Sequence, residues 1–460
     1  MSTITQNKCP YIGTIKRPLL DFDFEKVCSI SLSTLNVYAC LVCGKYFQGK
    51  GKDTYAYSHS LEEAHHLFIN LDSQAIICLP DNYEVIDTTL DDIKSNLKPQ
   101  YTKEQIKLLD KNTEFSYSLA GKEYLPGYIG LNNIKCNDYV NVVIQAFVHL
   151  QKIRDFFLMY ETEFKKNDLQ MIFIVRLGEL FRKIWNNNNF KEHISPHEVL
   201  QAISLASDKK FVINKQSDSI LFLSWMMNVL DIFFEKHKKK IGQNLIHDYF
   251  KGILQIETFT LIKDENEKSQ KAKIKNAKFV KIDGLEYFYE KTKTFFYYLS
   301  MDLPNTPLFK DSNEKINIPQ VPIYDLLQKF NGEKFTDDPI KSQKKRYKIL
   351  SFPKYLILVF KRFENNMFFT EKNPTIVNFT TENLTFSENN IRYDLMSNII
   401  HDGKPNQGTF RIQIRHKGRN EWYEIQDLNV EKIVSQSVIV SESYIHFYEK
   451  VKENTKNERD

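Results

Sequence analysis

An α+β fold in two parts, a small metal-bearing unit ahead of a larger domain, is what this 460-residue chain predicts. Three observations carry that expectation. A Cys-x-x-Cys pair, Cys40 and Cys43, is followed by His59 and then His65-His66. Apolar residues recur at spacings of three and four through Tyr139, Val142, Val143, Ile144 and Phe147, which is the face of a helix. The run Phe352 to Phe363 is almost wholly apolar with a charged end, as expected of a buried strand.

Composition sets the outer bounds. Apolar residues make up 42% of the chain and aromatics 13%, enough for a sizeable core across two or three domains. A net charge of +5 is too weak by itself to argue for nucleic-acid binding. No run of 18 apolar residues and no charged-then-apolar leader pattern is seen, so neither a membrane nor a secretory route is indicated. Of the six cysteines, Cys9, Cys28, Cys40 and Cys43 precede residue 50. Clustering with histidines points to metal and not to a secreted disulfide framework.

Two thiolates two residues apart can share one ion, and two imidazoles complete a tetrahedron. Cys40, Cys43, His59 and His65 are therefore expected to hold one structural zinc ion, with His66 the alternative fourth ligand. The competing reading has the cysteines in a core and the histidines on the surface. Cys9, Cys28 and Cys78 are expected to be buried thiols.

Taken in order, residues 1–90 form the compact Cys/His unit. Residues 91–124 read as a structured connector, with a short helix from Tyr101 to Asp110. Helical periodicity follows over Phe156 to Trp185 and Pro196 to Ser204. Strand-like runs cover Gly252 to Ile262, Thr294 to Asp302, Phe352 to Phe363 and Tyr393 to Gly403, with a lysine-rich insert at Lys263 to Lys281. The basic runs 236–240 and 341–348 read as solvated faces, with RNA contact the alternative. A charged tail occupies 451–460.

The segment Tyr128 to Phe147 resembles the cysteine box of the ubiquitin-specific proteases. Gly130, Leu131, Asn133, Tyr139, Asn141 and Gln145 match that pattern, and the position of the catalytic cysteine falls on Asp138. Gln216, Asp218, Phe222 and Leu223 resemble a second box, and Leu356 to Phe363 a third. Where an active member carries Gly-His-Tyr, this chain has Gly408-Thr409-Phe410, while Trp422, Tyr423 and Asp427 are retained. The resemblance implies a papain-like protease fold with thumb, palm and fingers over 125–450. No cysteine follows Cys136, so the fingers are expected to be zinc-free. It also implies degenerate catalytic positions at Asp138, Thr409 and Asp427: a pseudo-deubiquitinase and not an enzyme. Cys136 stands two residues early, and neither His401 nor His416 is expected to cover the place of Thr409. Asn137 and Asp138 are the cap candidates of this helix, and Asp138 suits a helix N-terminus, where a carboxylate caps free amides.

Residues 1–90 resemble the UBP-type zinc finger of the same family. Cys9-Pro10-Tyr11 has lost a histidine of that pattern, and Cys28 and Cys78 have lost their partners. Lys50 and Ile77 stand where an Arg and a Trp would clasp the ubiquitin C-terminus. Lysine lacks the planar fork and isoleucine the stacking face, so ubiquitin capture is not expected. The combination is similar to the splicing-factor branch of the family. That resemblance implies a nuclear, non-catalytic protein that assembles or stabilises the spliceosomal tri-snRNP. Its implied partners are tri-snRNP proteins, namely the large scaffold protein and the RNA helicase, with small nuclear RNA a further contact.

Overall fold

A computed structural model describes residues 9–160, 168–272, 278–305, 318–338, 341–365, 370–386, 391–405 and 407–451. The tail beyond 451, residues 273–277 of the lysine-rich insert and residues 161–167 of the 156–185 pattern lie outside the described residues. The chain divides into two compact units. One comprises Met1–Ser217, Lys417–Arg419 and Ile425–Val430, the other Asp218–His416, Asn420–Glu424 and Glu431–Asp460.

The first unit begins with a five-stranded antiparallel sheet in the order Tyr46–Gln48, Val37–Cys40, Leu67–Asn70, Ile76–Cys78, Tyr83–Glu84. Successive side chains point to opposite faces of a strand, and here both faces are covered. Tyr38, Cys40, Phe68 and Ile77 pack with Ala56 of helix Tyr55–Glu62 on one side. Val37, Ala39, Leu67, Ile69 and Cys78 pack on the other with Leu20, Phe22, Ile93, Leu97 and the distant Phe190. That explains why the three central strands are buried throughout instead of alternating.

Helices Asp91–Leu97 and Lys103–Leu108 follow the finger sheet in the chain. Helix Lys103–Leu108 starts at a reciprocal capping box between Thr102 and Gln105, and the Tyr101 hydroxyl donates to the Arg182 carbonyl at 2.6 Å. Helix Asp138–Val148 is buried along its whole length. The periodicity over 156–185 resolves into two helices, Gln151–Met159 and Leu169–Ile184, the second capped by Asp168, which accepts the Met171 N–H at 3.1 Å. Helix His197–Ala206 follows.

In the second unit, helix Ser219–Ile241 is capped by Asp218, which accepts the Ile220 N–H at 2.6 Å, and ends at Gly242 with φ 91°. Lys238, Lys239 and Lys240 fill its last turn, where cations complement the helix dipole. One sheet orders Lys278–Ile282, Leu285–Phe296, Gly252–Leu261, Gln343–Ser351 and Thr336–Asp338, all antiparallel. A second contains Leu299–Asp302, Tyr355–Lys361, Ser443–Lys450, Ile391–Asp402 and Thr409–His416 as successive neighbours. The strand expected over 294–302 is thus two strands in different sheets, parted at Tyr297–Tyr298.

The charged end of the 352–363 run divides, with Lys361 exposed and Arg362 not. Arg362 is fully buried and donates to the carbonyls of Ser443, Asn373 and Thr375 at 2.6, 2.9 and 2.7 Å. Burial pulls its pKa down to about 10. Among the described residues, no helix is long and apolar enough to cross a membrane.

Candidate metal centre and the helix N-terminus at Asp138

Cys40 ends a strand, and the chain turns back through Gly44 at φ 76° to bring up Cys43. A Cβ on Gly44 would meet the Leu19 carbonyl oxygen at 2.2 Å, so the turn requires glycine. His59 lies on helix Tyr55–Glu62 with its ring stacked on Phe47 at 4.2 Å. His65 follows Ala64, which is left-handed at φ 56°.

The structure brings these four side chains together. Their ligand atoms all lie within 4.8 Å of one another. Cys40 Sγ is 3.6 Å from His65 Nδ1, Cys43 Sγ is 3.4 Å from His59 Nε2, and the two ring nitrogens are 3.1 Å apart. A tetrahedral zinc at about 2.3 Å from sulfur and about 2.0 Å from nitrogen separates its ligand atoms by roughly 3.3–3.8 Å. These three separations fall within a few tenths of an ångström of that and no other pair exceeds 4.8 Å, so the residues fit the ion with a small closure. Hydrogen bonding from Cys40 pulls the Cys43 thiol down to about 4. A thiolate is the form that ligates. His66 points elsewhere, with Nδ1 2.9 Å from the Leu79 carbonyl and its ring against Tyr11.

Cys9, Cys28 and Cys78 are buried free thiols. The Tyr83 hydroxyl donates to Cys9 Sγ at 3.2 Å, and the Ser31 N–H to Cys28 Sγ at 3.4 Å. Burial pushes Cys78 up to about 11. Ile77 is 5% exposed inside the sheet's apolar cluster, while Lys50 is half-buried in the loop after Gln48.

The Asp138 corner is built from amides. Asn137 Oδ1 accepts the Ile134 N–H at 2.7 Å, and its Nδ2 donates to the Asn132 carbonyl and to Asn141 Oδ1 at 3.1 and 3.0 Å. Asn141 donates in turn to the carbonyls of Leu131 and Asn132 at 3.2 and 3.3 Å. Asp138 is 3% exposed and is the helix's first residue, not its cap. Asn137 holds the cap position, and Asp138 Oδ1 accepts the Tyr139 N–H at 3.0 Å. Of the two cap candidates, Asn137 takes the cap position and Asp138 the first helical place, where its carboxylate still accepts a first-turn amide. The loop's own turn, bonded through Asn137, takes the preceding residue into the cap place.

Asp427 stands in a left-handed turn at φ 52°, with Oδ2 accepting from Asn133 Nδ2 at 3.3 Å. That turn lies flat on strand Gly130–Leu131, since a Cβ on Gly130 would meet Leu428 Cα at 2.7 Å. Burial, reinforced by the negative charge of Asp138, raises the Asp427 carboxyl above the usual range. The Cys136 N–H donates to the Ile213 carbonyl at 3.3 Å, in the loop before the helix.

In the second unit, Thr409 is exposed at the start of a strand, opposite Asp402. His401 is 2% exposed, ringed by Phe363 and Phe410 and lying under Gly408, and burial drives its pKa down to about 4. His416 is buried near Tyr423. Asp218 accepts the Tyr444 hydroxyl at 2.8 Å, so that motif residue ties a helix cap to a strand.

One feature was not legible in the sequence. Lys183 Nζ donates to the Phe22 carbonyl at 2.7 Å and to Asp23 at 2.9 Å, while Asp23 also accepts the Ser195 N–H at 2.9 Å. Arg176 pairs with Glu179 at 2.6 Å and Glu198 at 3.2 Å. Burial alone would raise Glu179, but Lys26 and Arg176 pull it down to about 2. Charges scattered over some 180 residues of sequence carry no local signal of such a cluster.

A Cys2His2 sheet unit joined to a papain-like helical and β framework defines the class, and comparison with known proteins agrees with it. Residues 28–90 match the zinc finger in ubiquitin-hydrolases and other proteins, and residues 129–448 match ubiquitin carboxyl-terminal hydrolase. The chain belongs to the ubiquitin carboxyl-terminal hydrolase family. It is 46% identical to mouse ubiquitin carboxyl-terminal hydrolase 39 over 96% of this chain and 80% of that protein. The probable mRNA-splicing protein ubp10 of Schizosaccharomyces pombe is 39% identical over 97% of this chain and 89% of its own length. A crystal structure of an essential yeast splicing factor aligns with TM-score 0.76 and 27% identity, covering 96% of this chain and all of that one.

Proposed function

We propose that this chain is a nuclear pre-mRNA splicing factor without hydrolase activity, which assembles or holds the spliceosomal tri-snRNP with its protease-derived domain as a binding scaffold. The splicing role is supported by likeness over nearly the full length to proteins named for splicing. The observation that carries the loss of chemistry is the buried carboxylate of Asp138 at the start of helix Asp138–Val148, where the resemblance puts the nucleophile. Cysteine-protease chemistry needs a thiolate, a base within hydrogen-bond reach and a group that orients the base. A carboxylate is a poor nucleophile towards an amide, and the hydroxyl of Thr409 accepts no proton at neutral pH. Asp427, the third matching position, binds an asparagine amide. Members of such a triad act as a unit, so two losses leave little.

One zinc ion per chain, held by Cys40, Cys43, His59 and His65, would fix the Cys-x-x-Cys turn to the helix bearing His59. The domain layout we favour is a finger over 1–90, a connector over 91–124, the protease-like domain over 125–450 and a tail over 451–460. Partners would be tri-snRNP proteins, the large scaffold protein and the RNA helicase among them. With Ile77 buried and a lysine at position 50, capture of the ubiquitin tail is not expected.

The test has two arms. A ubiquitin-amide reporter should show no turnover by the protein or by Asp138→Cys; turnover abolished by Cys136→Ser would refute the non-catalytic reading. Depleting the protein from splicing extract should lower tri-snRNP levels or stop splicing before its first chemical step, and Asp138→Ala protein should restore it. Normal tri-snRNP and normal splicing after depletion would refute the scaffold role.

A further inference from the structure

The sheet spanning residues 252–351 has two faces of opposite character. Residues directly opposite one another in antiparallel strands share a face. Reading across the register, one row is Lys278, Tyr289, Phe259, Lys344 and Asp337; the next is Lys291, Glu257 and Arg346; the third is Lys293, Gln255 and Lys348. That face sets six cations against two carboxylates. The other carries Lys281 and Lys345 against Glu286, Glu290 and Asp338. That second face covers the apolar core through Leu254, Ile256, Tyr347 and Ile349, so the cations collect on the face turned away from it.

The cations are also held in place. Arg346 donates to Glu257 at 2.8 Å, and its guanidinium lies 5.0 Å from the Phe259 ring centre and 5.1 Å from that of Phe335. Lys344 Nζ stands 6.0 Å from Tyr287 and 5.8 Å from Phe335. Glu257 further accepts the Tyr289 hydroxyl at 3.1 Å and faces Lys291 at 3.8 Å, so it orients the row without cancelling it. On the strand of Lys291 and Lys293, the next residue on this face is Phe295, 56% exposed, with Lys251 Nζ 4.7 Å from its ring centre. Cations two residues apart along a strand, roughly 6.6 Å, end beside an open aromatic ring.

We infer that this face binds single-stranded RNA, with the phosphodiester backbone along Arg346, Lys291, Lys293 and Lys348 and one base stacked on Phe295. Backbone-tracking cations with an aromatic platform are what sequence-tolerant single-strand binding requires. A protein carboxylate patch would use the charge but not the exposed ring. The choice of RNA over DNA rests on the splicing reading; the single-strand site itself does not.

The test uses the full chain and a fluorescent 12-nucleotide oligouridine, with anisotropy followed over a range of potassium chloride. Replacing Lys291, Lys293 and Lys348 together by Gln should weaken binding at least tenfold. It should also lower the slope of log affinity on log salt by about 2, from roughly 0.7 per phosphate contact. Phe295→Ala should cost at least fivefold, within the range for one stacked base. Lys281→Gln/Lys345→Gln on the opposite face should change neither quantity. Independently of any variant, oligouridine should protect Lys291 and Lys293 of the unaltered protein from amine-reactive acylation. Absence of binding, equal losses from the two faces, full competition by polyglutamate, or preference for an RNA duplex with Phe295→Ala silent would each overturn the assignment. Binding retained while depletion leaves splicing normal would keep the site and reject the splicing reading.

Discussion

The zinc-type cluster and the Asp138 corner lie in the same compact unit and have opposite internal logic. At the cluster, two thiols and two imidazoles converge with 3.1–3.6 Å between paired atoms, the sulfurs also reached by the amides of Val42, Cys43 and Lys45. Such a set is costly unless a cation occupies its centre. At Asp138, the polar groups satisfy one another: Asn137 and Asn141 close a network onto the loop backbone. A site that still needs something from outside is distinguished from one that has become self-sufficient by where its hydrogen bonds go. Two of the remaining finger cysteines side with Asp138, since Cys9 accepts from the Tyr83 hydroxyl and Cys28 from the Ser31 N–H.

The largest test of that contrast is at the cluster. Removing metal by chelation, or making Cys40→Ser, should abolish one equivalent of zinc and unfold the finger, because structural zinc is worth about 10–16 kcal/mol of apparent folding free energy. Elemental analysis with limited proteolysis reads both effects. An intact finger in the Cys40→Ser protein would erase the distinction, and three equivalents of zinc in the parent would move Cys9, Cys28 and Cys78 to the other side of it.

Next in size, Asn137→Ala removes a buried side chain that joins three polar groups and should destabilise the first unit by about 2–3 kcal/mol. Urea denaturation would measure it, and zinc content should not change. Smaller again, Cys78→Ala should cost about 1 kcal/mol in packing while leaving the metal equivalent unchanged. Loss of metal in that variant would show that the thiol is a ligand after all.

The smallest effect expected is at Asp427. Its carboxyl titrates above the ordinary range because of burial and the charge of Asp138, so ionisation opposes folding. That penalty is absent below the unfolded pKa and grows as pH rises through the folded value. Asp427→Asn keeps an acceptor for Asn133 and tolerates the left-handed turn, so at pH 7 it should stabilise by up to about 0.5 kcal/mol. Thermal melts should show the gain disappearing near pH 3, and a variant less stable at pH 7 would show that the carboxylate is held by favourable contacts.

The contrast also explains what the sequence disclosed. The metal cluster was legible because its ligands arrive within one short hairpin, helix and strand, so spacing alone brings them near one another. Helix Asp138–Val148 was legible from the three-and-four spacing of its bulky apolar residues, and strand Tyr355–Lys361 from its unbroken apolar run. The sequence left the cap open between Asn137 and Asp138, both good caps locally; Asn137 takes it, its side chain bonded to the Ile134 amide. The burial of Arg362 and the Lys183–Asp23 contact depend on partners dozens to well over a hundred residues away, which no local pattern reports.

Phe190 lies in the core of the finger sheet although it belongs to the chain beyond the connector. A fragment cut at residue 90 would therefore keep all four metal donors yet lose this ring, along with Ile93 and Leu97, from one side of its sheet. Metal loading and solubility should part company in such a fragment: it would hold its ion and still self-associate through the uncovered face. A fragment extended through the helices to residue 206 would carry the ring that shields that face.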